Sequence, residues 1–333
     1  MRYYRPVPRT DPARPADALP LAGGWCWFDT VEQLDRDASP RLLPARDLPE
    51  DVAARLTAPR PPLAGMAMDA PRLMGILNVT PDSFSDGGQH FDPETALAHA
   101  TAMSGAGADI LDVGGESTRP GAAPVPIEDE IARTAPVIAA VRAAVPTPLS
   151  IDTRKATVAE AAHHAGATLV NDVSGFTFDP DLAPFAAAHA LPVCIMHAQG
   201  TPETMQRDPR YDDVLLDVYD WLAERIEALT ALGIPRERIA IDPGIGFGKT
   251  RAHNLRLLQG LSLFHGLGCA ILLGASRKRF IGDLTGTPVA ADRVPGSLAV
   301  AVMAVAQGVQ IQRVHDVAET RAALDMWAAV CTV

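Results

Sequence analysis

Residues 72–79, with the sequence RLMGILNV, form the first of eight short apolar runs that recur along the chain. Longer Ala-rich stretches with helical periodicity separate these runs. Strands that alternate with helices predict a parallel sheet, and eight such units in about 260 residues predict a (β/α)8 TIM barrel of the α/β class. The eight runs are Leu73–Val79, Asp109–Val113, Pro148–Asp152, Leu169–Asp172, Pro192–His197, Ile239–Asp242, Ala270–Gly274 and Ile311–Val314.

An open, doubly wound sheet is the main alternative to a barrel. Such a sheet often carries a Gly-rich dinucleotide fingerprint after its first strand, and the residues after Val79 do not contain it. The complete set of eight units therefore favours the barrel. The stretches predicted to be helical are Glu94–Ser104, Glu128–Ala144, Val158–Ala165, Tyr211–Leu232, Arg293–Gln307 and Asp316–Val330.

The first 71 residues differ in composition from the rest of the chain. They hold 12 of the 29 prolines, and proline cannot continue a long helix or a central strand. We therefore predict two parts: residues 1–71 as a Pro-rich N-terminal extension of unknown role, and residues 72–333 as the barrel. Within the extension, Thr30 to Arg36 is predicted to start a short helix.

Composition and charge limit the class of partner. A net charge of −11 disfavours binding to nucleic acid or to an anionic membrane surface, because both require an excess of Lys and Arg. No apolar stretch reaches the roughly 18 residues of a membrane span, and no apolar signal-peptide block opens the chain, so a cytoplasmic location is predicted. The four cysteines are scattered, which disfavours a zinc site or a disulfide framework.

Lysine is rare in this sequence. It occurs only at Lys155, Lys249 and Lys278, whereas arginine supplies the rest of the 29 cationic side chains. An ammonium group is a compact point charge and a guanidinium is a planar fork, so the three lysines mark positions where a point charge is required.

Polar residues follow the apolar runs, where a barrel of this kind places its active site. Asp152, Asn171 and Asp242 lie at the ends of three runs, and inward-facing carboxylates are costly unless donors meet them. The N–H edge of a pterin ring would meet them, and its 4-oxo oxygen suits a donor such as Lys278. Positive charge gathers after the last two runs, at Ser276–Arg279 and Arg313–His315, where barrels often bind phosphate groups.

Six motifs, in order along residues 72 to about 330, resemble those of the dihydropteroate synthases, which are pterin-binding enzymes. One motif alone would be weak, but several long motifs in family order make a chance match negligible. The N-terminal extension lies outside this resemblance. The motifs are residues 75–88 (GILNVTPDSFSDGG), 114–121 (GGESTRPG), 196–202 (MHAQGTP), 242–249 (DPGIGFGK), 276–278 (SRK) and 313–317 (RVHDV).

The resemblance implies a transferase of folate biosynthesis. Its substrates would be 6-hydroxymethyl-7,8-dihydropterin diphosphate and 4-aminobenzoate, and its products 7,8-dihydropteroate and pyrophosphate. It also implies that Mg²⁺ is the cofactor, that the enzyme is a homodimer, and that sulfonamides compete with 4-aminobenzoate.

The resemblance assigns roles to the matching residues. Asp152, Lys278, Arg313 and His315 would be catalytic, with Arg313 and His315 stabilising the departing diphosphate. Asn78 would offer an oxygen to Mg²⁺. The remaining substrate contacts would be Asn171 and Asp242 on the pterin edge, Met196 and Phe247 on its faces together with the Arg313 guanidinium, Ser276 beside Lys278, and Phe84, Thr118, Arg119 and Pro120 around 4-aminobenzoate.

The implied reaction needs no enzyme nucleophile. The leaving group sits on a methylene attached to an electron-rich dihydropterin, so loss of diphosphate can leave a delocalised cation before the aniline nitrogen attacks. Catalysis would come from stabilising the diphosphate, from carboxylates such as Asp152 that stabilise the cation, and from loops that exclude water. Asp82 and Asp86 are weaker candidates to assist.

Each assigned residue type also has an ordinary structural use. Asp152 is alternatively the N-cap of the following helix, and Asp242 a turn residue. Asn78 is alternatively a turn former, and His315 a helix-start residue bonded to backbone. Three polar residues at the same rim are left outside the site, with a structural role or a direct ligand contact open for each: His197, Lys155 and Lys249.

Two other functions fit part of the pattern. Pterin-binding methyltransferases share the barrel and its acidic pocket but transfer a methyl group to a corrinoid, and they have no need of diphosphate-facing loops. A noncatalytic paralogue would keep the fold for binding or regulation, although here every motif position carries the expected residue type.

Overall fold

The N-terminal part of the chain forms small β-elements and one helix. The structure is a computed structural model that describes residues 2–80, 93–117, 122–200 and 204–331. Its first elements are the strands β1 (Arg2–Pro6), β2 (Leu19–Pro20), β3 (Trp27–Phe28), β4 (Thr30–Asp35) and β5 (Arg41–Pro44) and the helix α1 (Glu50–Thr57). An antiparallel sheet has the order β1–β4–β5, and β2 pairs with β3.

The prediction of a short helix from Thr30 to Arg36 was wrong. Strand β4 occupies Thr30–Asp35 and lies at the centre of the sheet, paired with β1 on one side and β5 on the other. The β-branched Thr30 and Val31 favour extended backbone, and a lone helix of this length is marginal in water. The pairing of the strand on both edges therefore decides its conformation.

Eight parallel strands close into a barrel, in which each strand pairs with the next and the last pairs with the first. The barrel class is therefore confirmed. Every predicted run is a strand, and its ends move by at most one residue. The strands are β6 (Arg72–Asn78), β7 (Ile110–Gly114), β8 (Leu149–Asp152), β9 (Leu169–Asp172), β10 (Val193–Met196), β11 (Ile239–Asp242), β12 (Ala270–Leu273) and β13 (Ile311–Val314).

Helices connect the barrel strands, and the sequence predicted the longer ones. Three shorter helices, α5, α7 and α8 below, were absent from the prediction because seven to nine residues give too few repeats of the helical period. Within the described residues, no helix combines the length and apolar character needed to cross a membrane. The helices are α2 (Pro93–Gly105), α3 (Ile127–Ala144), α4 (Ala156–Ala165), α5 (Leu182–Ala188), α6 (Val214–Ala231), α7 (Arg251–Gln259), α8 (Arg279–Thr285), α9 (Val294–Val305) and α10 (Val317–Cys331).

Apolar side chains close the amino end of the barrel. Leu63, Met66 and Met68 are buried in one cluster with the first inward residues of the strands, such as Ile110 and Ile311. Because this end is packed with apolar groups, a polar ligand can be received only at the opposite, carboxyl end.

The N-terminal segment, defined here as residues 2–62, packs on the flank of the barrel. Tyr3 belongs to the main core and donates a hydrogen bond to Asp220 of α6 at 2.8 Å. Arg36 pairs with Asp217 and Asp220, each at 2.7 Å, and Trp25 Nε1 donates to the Val305 carbonyl at 2.8 Å. A small core of its own holds the segment together: Leu21, Cys26, Phe28, Val31, Ala45 and Leu56.

Candidate active site

At the carboxyl end of the barrel, Arg313 of β13 binds two carboxylates. Its Nε donates to Asp112 Oδ2 of β7 at 2.6 Å, and its Nη2 donates to Asp152 Oδ2 of β8 at 2.8 Å. Asn171 of β9 donates its amide to the same Asp112 oxygen at 2.9 Å. The alternative role of Asp152 as a helix cap is wrong, because Lys155 is the N-cap of α4. Three predicted site residues thus meet in one network.

Burial changes the protonation of this network. It raises the pKa of the Asp152 carboxyl to about 7, with Arg313 opposing the shift and Asp112 adding to it. Burial also lowers the pKa of Arg313, but Asp112 and Asp152 outweigh it, so that pKa is raised overall. Since two carboxylates share one guanidinium, the network can take up a proton near neutral pH.

Asp112 is a site residue that the sequence analysis missed. Its side chain is fully buried, and its Oδ1 has no hydrogen-bond partner among the described residues. A buried carboxylate oxygen without a donor is costly, so a ligand donor or a water molecule is expected at this position. A signal was present in the sequence, since Asp112 interrupts an apolar run and shares the inward face of its strand with Gly114.

The Asp242 carboxylate, at the end of β11, stabilises the following turn and also lines the mouth of the barrel. Its Oδ1 accepts a hydrogen bond from Gly244 N at 2.7 Å, which confirms the turn. Its Oδ2 lies 3.5 Å from the point that a β-carbon on Gly274 would occupy, and Arg313 flanks the same point at 4.0 Å. The second oxygen therefore lies beside the Arg313 network.

Lys278 and Phe247 form the wall next to Asp242. The Lys278 ammonium donates to the Ile245 carbonyl and lies 4.5 Å from the centre of the Phe247 ring. Loss of solvent lowers the pKa of Lys278 to about 8, with Asp242 opposing the shift. Burial raises the pKa of Asp242, and Lys278 opposes that change. The two side chains thus stabilise each other's charged form.

Ser276 and His315 are held together across two loops. Ser276 Oγ lies 3.0 Å from His315 Nδ1 and accepts the His315 backbone N–H at 3.2 Å. The Ser276 hydroxyl therefore holds both the imidazole and the backbone N–H of His315. Both residues belong to motifs predicted to serve the substrate.

A strained residue separates Ser276 from Lys278. Arg277 has a φ of 58°, in the left-handed region that residues other than glycine rarely adopt. Its Nε pairs with Asp316 Oδ2 at 2.9 Å, and its backbone N–H donates to Ser297 Oγ at 2.9 Å. These contacts hold a strained backbone in place, which is common where side chains must be aimed at a ligand. No local sequence pattern marks Arg277 or Asp316 for this supporting role.

Two oxygens near Gly114 are of the chemical type that Mg²⁺ prefers. Asn78 Oδ1 and Asp152 Oδ2 each lie 3.7 Å from the point that a β-carbon on Gly114 would occupy. Mg²⁺ prefers hard oxygen ligands, and in phosphate sites it takes one or two from protein and the rest from phosphate and water. In the described part of the chain, no cluster of three or more His, Cys, Asp or Glu side chains could hold a metal alone. A metal here would therefore need oxygens from the substrate.

The remaining predicted contacts divide into two groups. Met196 ends β10, is buried, and pairs in register with Asp242 on the neighbouring strand. The predicted contacts with 4-aminobenzoate, and the two weaker carboxylate candidates, lie outside the described residues: Phe84, Thr118, Arg119, Pro120, Asp82 and Asp86.

The sequence is similar to a family of pterin binding enzymes. The profile of the pterin binding enzyme family matches residues 74–315. The dihydropteroate synthase of Escherichia coli K12 is 48% identical over 250 residues, which is 75% of this chain and 88% of that protein. That of Neisseria meningitidis serogroup B is 46% identical over 270 residues, which is 80% of this chain and 94% of that protein.

Solved structures give the same result. The Xanthomonas albilineans dihydropteroate synthase with 4-aminobenzoic acid is 47% identical, with a TM-score of 0.77, covering 81% of this chain and 97% of that one. The same enzyme with 7,8-dihydropteroate has a TM-score of 0.74 at 45% identity, covering 80% and 96%. The Yersinia pestis enzyme in a sulfonamide drug complex has a TM-score of 0.77 at 46% identity, covering 80% and 97%. This chain belongs to the pterin-binding enzyme family, and these relatives within it are dihydropteroate synthases.

Proposed function

We propose that this chain is a dihydropteroate synthase, which joins 6-hydroxymethyl-7,8-dihydropterin diphosphate to 4-aminobenzoate and releases pyrophosphate. The observation that carries the proposal is the arrangement at the barrel mouth. Three neighbouring strands supply Asp112, Asp152 and Asn171 around the Arg313 guanidinium, and Asp242 lies beside them with Lys278. Carboxylate, amide, guanidinium and ammonium groups are thus combined at the carboxyl end of the barrel.

This combination suits the edge of a pterin ring. The 2-amino group and ring N–H groups of a pterin need acceptors, which Asp242 Oδ2, Asp112 Oδ1 and the Asn171 amide oxygen offer. The 4-oxo oxygen needs a donor, which the Lys278 ammonium offers. A ligand bound in this way would supply donors to buried carboxylates and so remove the cost of their burial. Met196 and Phe247 would cover the faces of the ring.

The basic residues at the carboxyl end of β13 suit the diphosphate. His315 and Arg313 would bind its oxygens, and the hydroxyl of Ser276, 3.0 Å from His315 Nδ1, orients that imidazole. Asn78 and Asp152 would hold Mg²⁺, which when bound supplies positive charge to the phosphate oxygens.

Catalysis in this scheme consists of charge stabilisation. As the bond between the methylene carbon and the diphosphate oxygen breaks, both bonding electrons leave with pyrophosphate. The positive charge that remains spreads into the dihydropterin ring, where Asp112 and Asp152 stabilise it. The aniline nitrogen of 4-aminobenzoate then attacks the methylene carbon and loses a proton. No side chain forms a covalent bond with the substrate.

Pyrophosphate release with the two substrates tests the proposal. The synthase releases one pyrophosphate for each dihydropteroate formed and requires both substrates, and a sulfonamide competes with 4-aminobenzoate. A methyltransferase would instead methylate a corrinoid, and a noncatalytic paralogue would bind the pterin without turnover. Omitting 4-aminobenzoate separates synthesis from hydrolysis of the diphosphate. Chelation followed by stepwise return of Mg²⁺ tests the metal.

We extend the proposal to the assembly and location of the chain. Three large apolar side chains are exposed on two neighbouring helices, Met303 on α9 and Met326 and Val330 on α10, and this face suits a second copy in a homodimer. The division into an extension of residues 1–71 and a barrel domain of residues 72–333, and the cytoplasmic location, remain predictions.

A further inference from the structure

All three lysines of the chain lie on loops at the mouth of the barrel. Lys155 follows β8, Lys249 follows β11 and Lys278 follows β12. Lys155 and Lys249 are buried, with 6% and 3% of their surfaces exposed. Lys155 bonds to two carboxylates, those of Glu116 and Glu130. The proposed function uses Lys278 but assigns no role to Lys249.

Lys249 has an unusual set of partners for a buried amino group. Its Nζ donates to the carbonyl of Phe247 at 3.0 Å and to the carbonyl of His197 at 3.2 Å, and it lies 2.9 Å from His197 Nδ1. None of these three partners is a carboxylate. Burial without a bonded counter-charge is expensive, so a side chain that only filled space here would be apolar. The Lys249 Nζ can donate to both carbonyls, and His197 Nδ1 accepts a further hydrogen bond in the tautomer that carries its proton on Nε2.

These partners belong to two different loops. His197 follows β10, whereas Phe247 lies in the loop after β11, and the two loops are in close contact. A β-carbon on Gly244 would lie 1.8 Å from the His197 carbonyl oxygen, and one on Gly248 would lie 2.6 Å from the Gln199 carbonyl oxygen. Both glycines also have positive φ, 70° and 61°, which glycine adopts without strain. Glycine is therefore required at both positions for its conformation as well as for the lack of space. Lys249 therefore bonds the loops after β10 and β11 to each other, at a contact where there is no space for additional atoms.

The contact between these two loops also positions the Phe247 ring and the Lys278 ammonium. The loop after β11 supplies the Ile245 carbonyl that accepts from Lys278, and it supplies the Phe247 ring beneath the Lys278 ammonium. A shift of this loop would move both contacts of Lys278 together. The 4-aminobenzoate contacts predicted at Phe84 and at Thr118–Pro120 come from other loops, after β6 and β7.

We propose that Lys249 is a positioning residue for the pterin half of the reaction. It bonds the loops after β10 and β11 to each other and so sets the places of Phe247 and Lys278, without touching the substrate. This inference rests on the proposed function, because it assumes that Lys278 and Phe247 bind the pterin.

Substitution of the buried lysines tests the inference. The variant Lys249→Met keeps the length of the side chain and removes its donors, and Lys155→Met is the matched control at the same rim. For Lys249→Met we expect the KM for the pterin diphosphate to rise, so that kcat/KM for this substrate falls by about 100-fold, because the residues that bind the pterin are displaced, with the KM for 4-aminobenzoate unchanged. The variant Lys249→Arg, which keeps a buried cation and can still bridge two carbonyls, should recover part of the loss. Lys155→Met should leave the KM for the pterin diphosphate unchanged.

Circular dichroism and thermal melting accompany the kinetics, and calorimetric binding of the pterin diphosphate provides a second readout. If Lys249→Met does not fold, the kinetics of Lys249→Arg provide the test. The loss should again affect the KM for the pterin diphosphate and leave the KM for 4-aminobenzoate unchanged. A folded variant with a wild-type KM for the pterin overturns the inference, and so does an equal loss for both substrates. If the wild-type chain itself releases no pyrophosphate, the proposed function fails first, and binding of the pterin then tests Lys249 alone.

Discussion

Arg313 reaches from β13 across the intervening strand β6 to bond Asp112 on β7, with 2.6 Å between Nε and Oδ2. The two residues are 201 positions apart in the sequence. The contact uses one oxygen of a fully buried carboxylate and leaves the other without a partner among the described residues. Asp112 therefore orients Arg313 through Oδ2, and its Oδ1 is available to accept a hydrogen bond from a ligand.

The first prediction concerns this carboxylate. The variant Asp112→Asn can place its amide oxygen at Oδ2, where Arg313 and Asn171 donate, and its NH2 at Oδ1. The fold should survive. The variant loses the negative charge beside the proposed pterin cation, and it places an NH2 donor where Asp112 Oδ1 is an acceptor. We expect kcat/KM for the pterin diphosphate to fall by about 100-fold, measured as pyrophosphate release, with little change in melting temperature.

Asp109→Asn is the matched control for this variant. Asp109 lies just before β7, at the opposite end of the barrel, where it bonds Arg321 and the backbone N–H of Leu73. Its loss is expected to lower stability while leaving kcat/KM per folded molecule unchanged. A larger catalytic loss in Asp109→Asn than in Asp112→Asn would show that neither effect is local to the mouth.

The second prediction is a narrow pH optimum for pterin binding. The pKa of Asp152 is raised to about 7 by burial, and that of Lys278 is lowered to about 8 by loss of solvent. Binding needs the ionised carboxylate, so affinity rises as pH increases through about 7. It also needs the ammonium, so affinity falls as pH increases through about 8. Calorimetric titrations from pH 5.5 to 9.5 should thus give a bell-shaped profile.

Two variants separate the limbs of that profile. Asp152→Asn should remove the acidic limb, and Lys278→Ala should remove the basic one, while both abolish turnover and leave the fold intact. Binding that stays constant over the whole pH range in the wild-type chain would contradict the assignment. Melting of both variants together with the loss of activity would instead indicate that these residues are structural.

Local sequence pattern was sufficient to predict the barrel strands. Runs such as Ile239–Asp242 are apolar, short and bounded by polar residues, and the strand-end position of Asp242 follows from the run itself. The same logic placed Asp152 and Asn171 at the mouth. Residues at strand ends were therefore predictable because their position depends on their own strand.

Features that depend on distant residues were not predictable in this way. Asp112 was read as part of an apolar run, since the guanidinium that neutralises it comes from the last strand. Arg277 adopts its left-handed backbone because contacts from Asp316 and Ser297 hold it there. Thr30–Asp35 became a strand because partners on both sides supply its hydrogen bonds. In each case a contact distant in sequence, or pairing within the sheet, outweighs the local pattern.

The third prediction concerns the N-terminal segment. Phe28 is 0% exposed at the centre of its small core, so Phe28→Ala should cost about 3 kcal/mol or more in the free energy of unfolding. Leu42, which is 68% exposed on β5, is the control, and Leu42→Ala should change stability by less than about 0.5 kcal/mol. Urea denaturation measures both. Equal effects would mean that the segment is not packed as described.

The fourth prediction concerns the apolar face of α9 and α10. In a homodimer that uses this face, Met326→Glu would bury a charge against apolar groups, so the variant should sediment as a monomer of 35.2 kDa while the wild-type chain sediments at twice that mass. Leu232→Glu is the control, because Leu232 is also exposed but lies at the end of α6. It should stay dimeric. A wild-type monomer would contradict the proposed homodimer, and a dimer disrupted equally by both variants would contradict an interface on this face. Retention of pyrophosphate release in the Met326→Glu monomer would further show that the mouth residues of one barrel suffice for the chemistry.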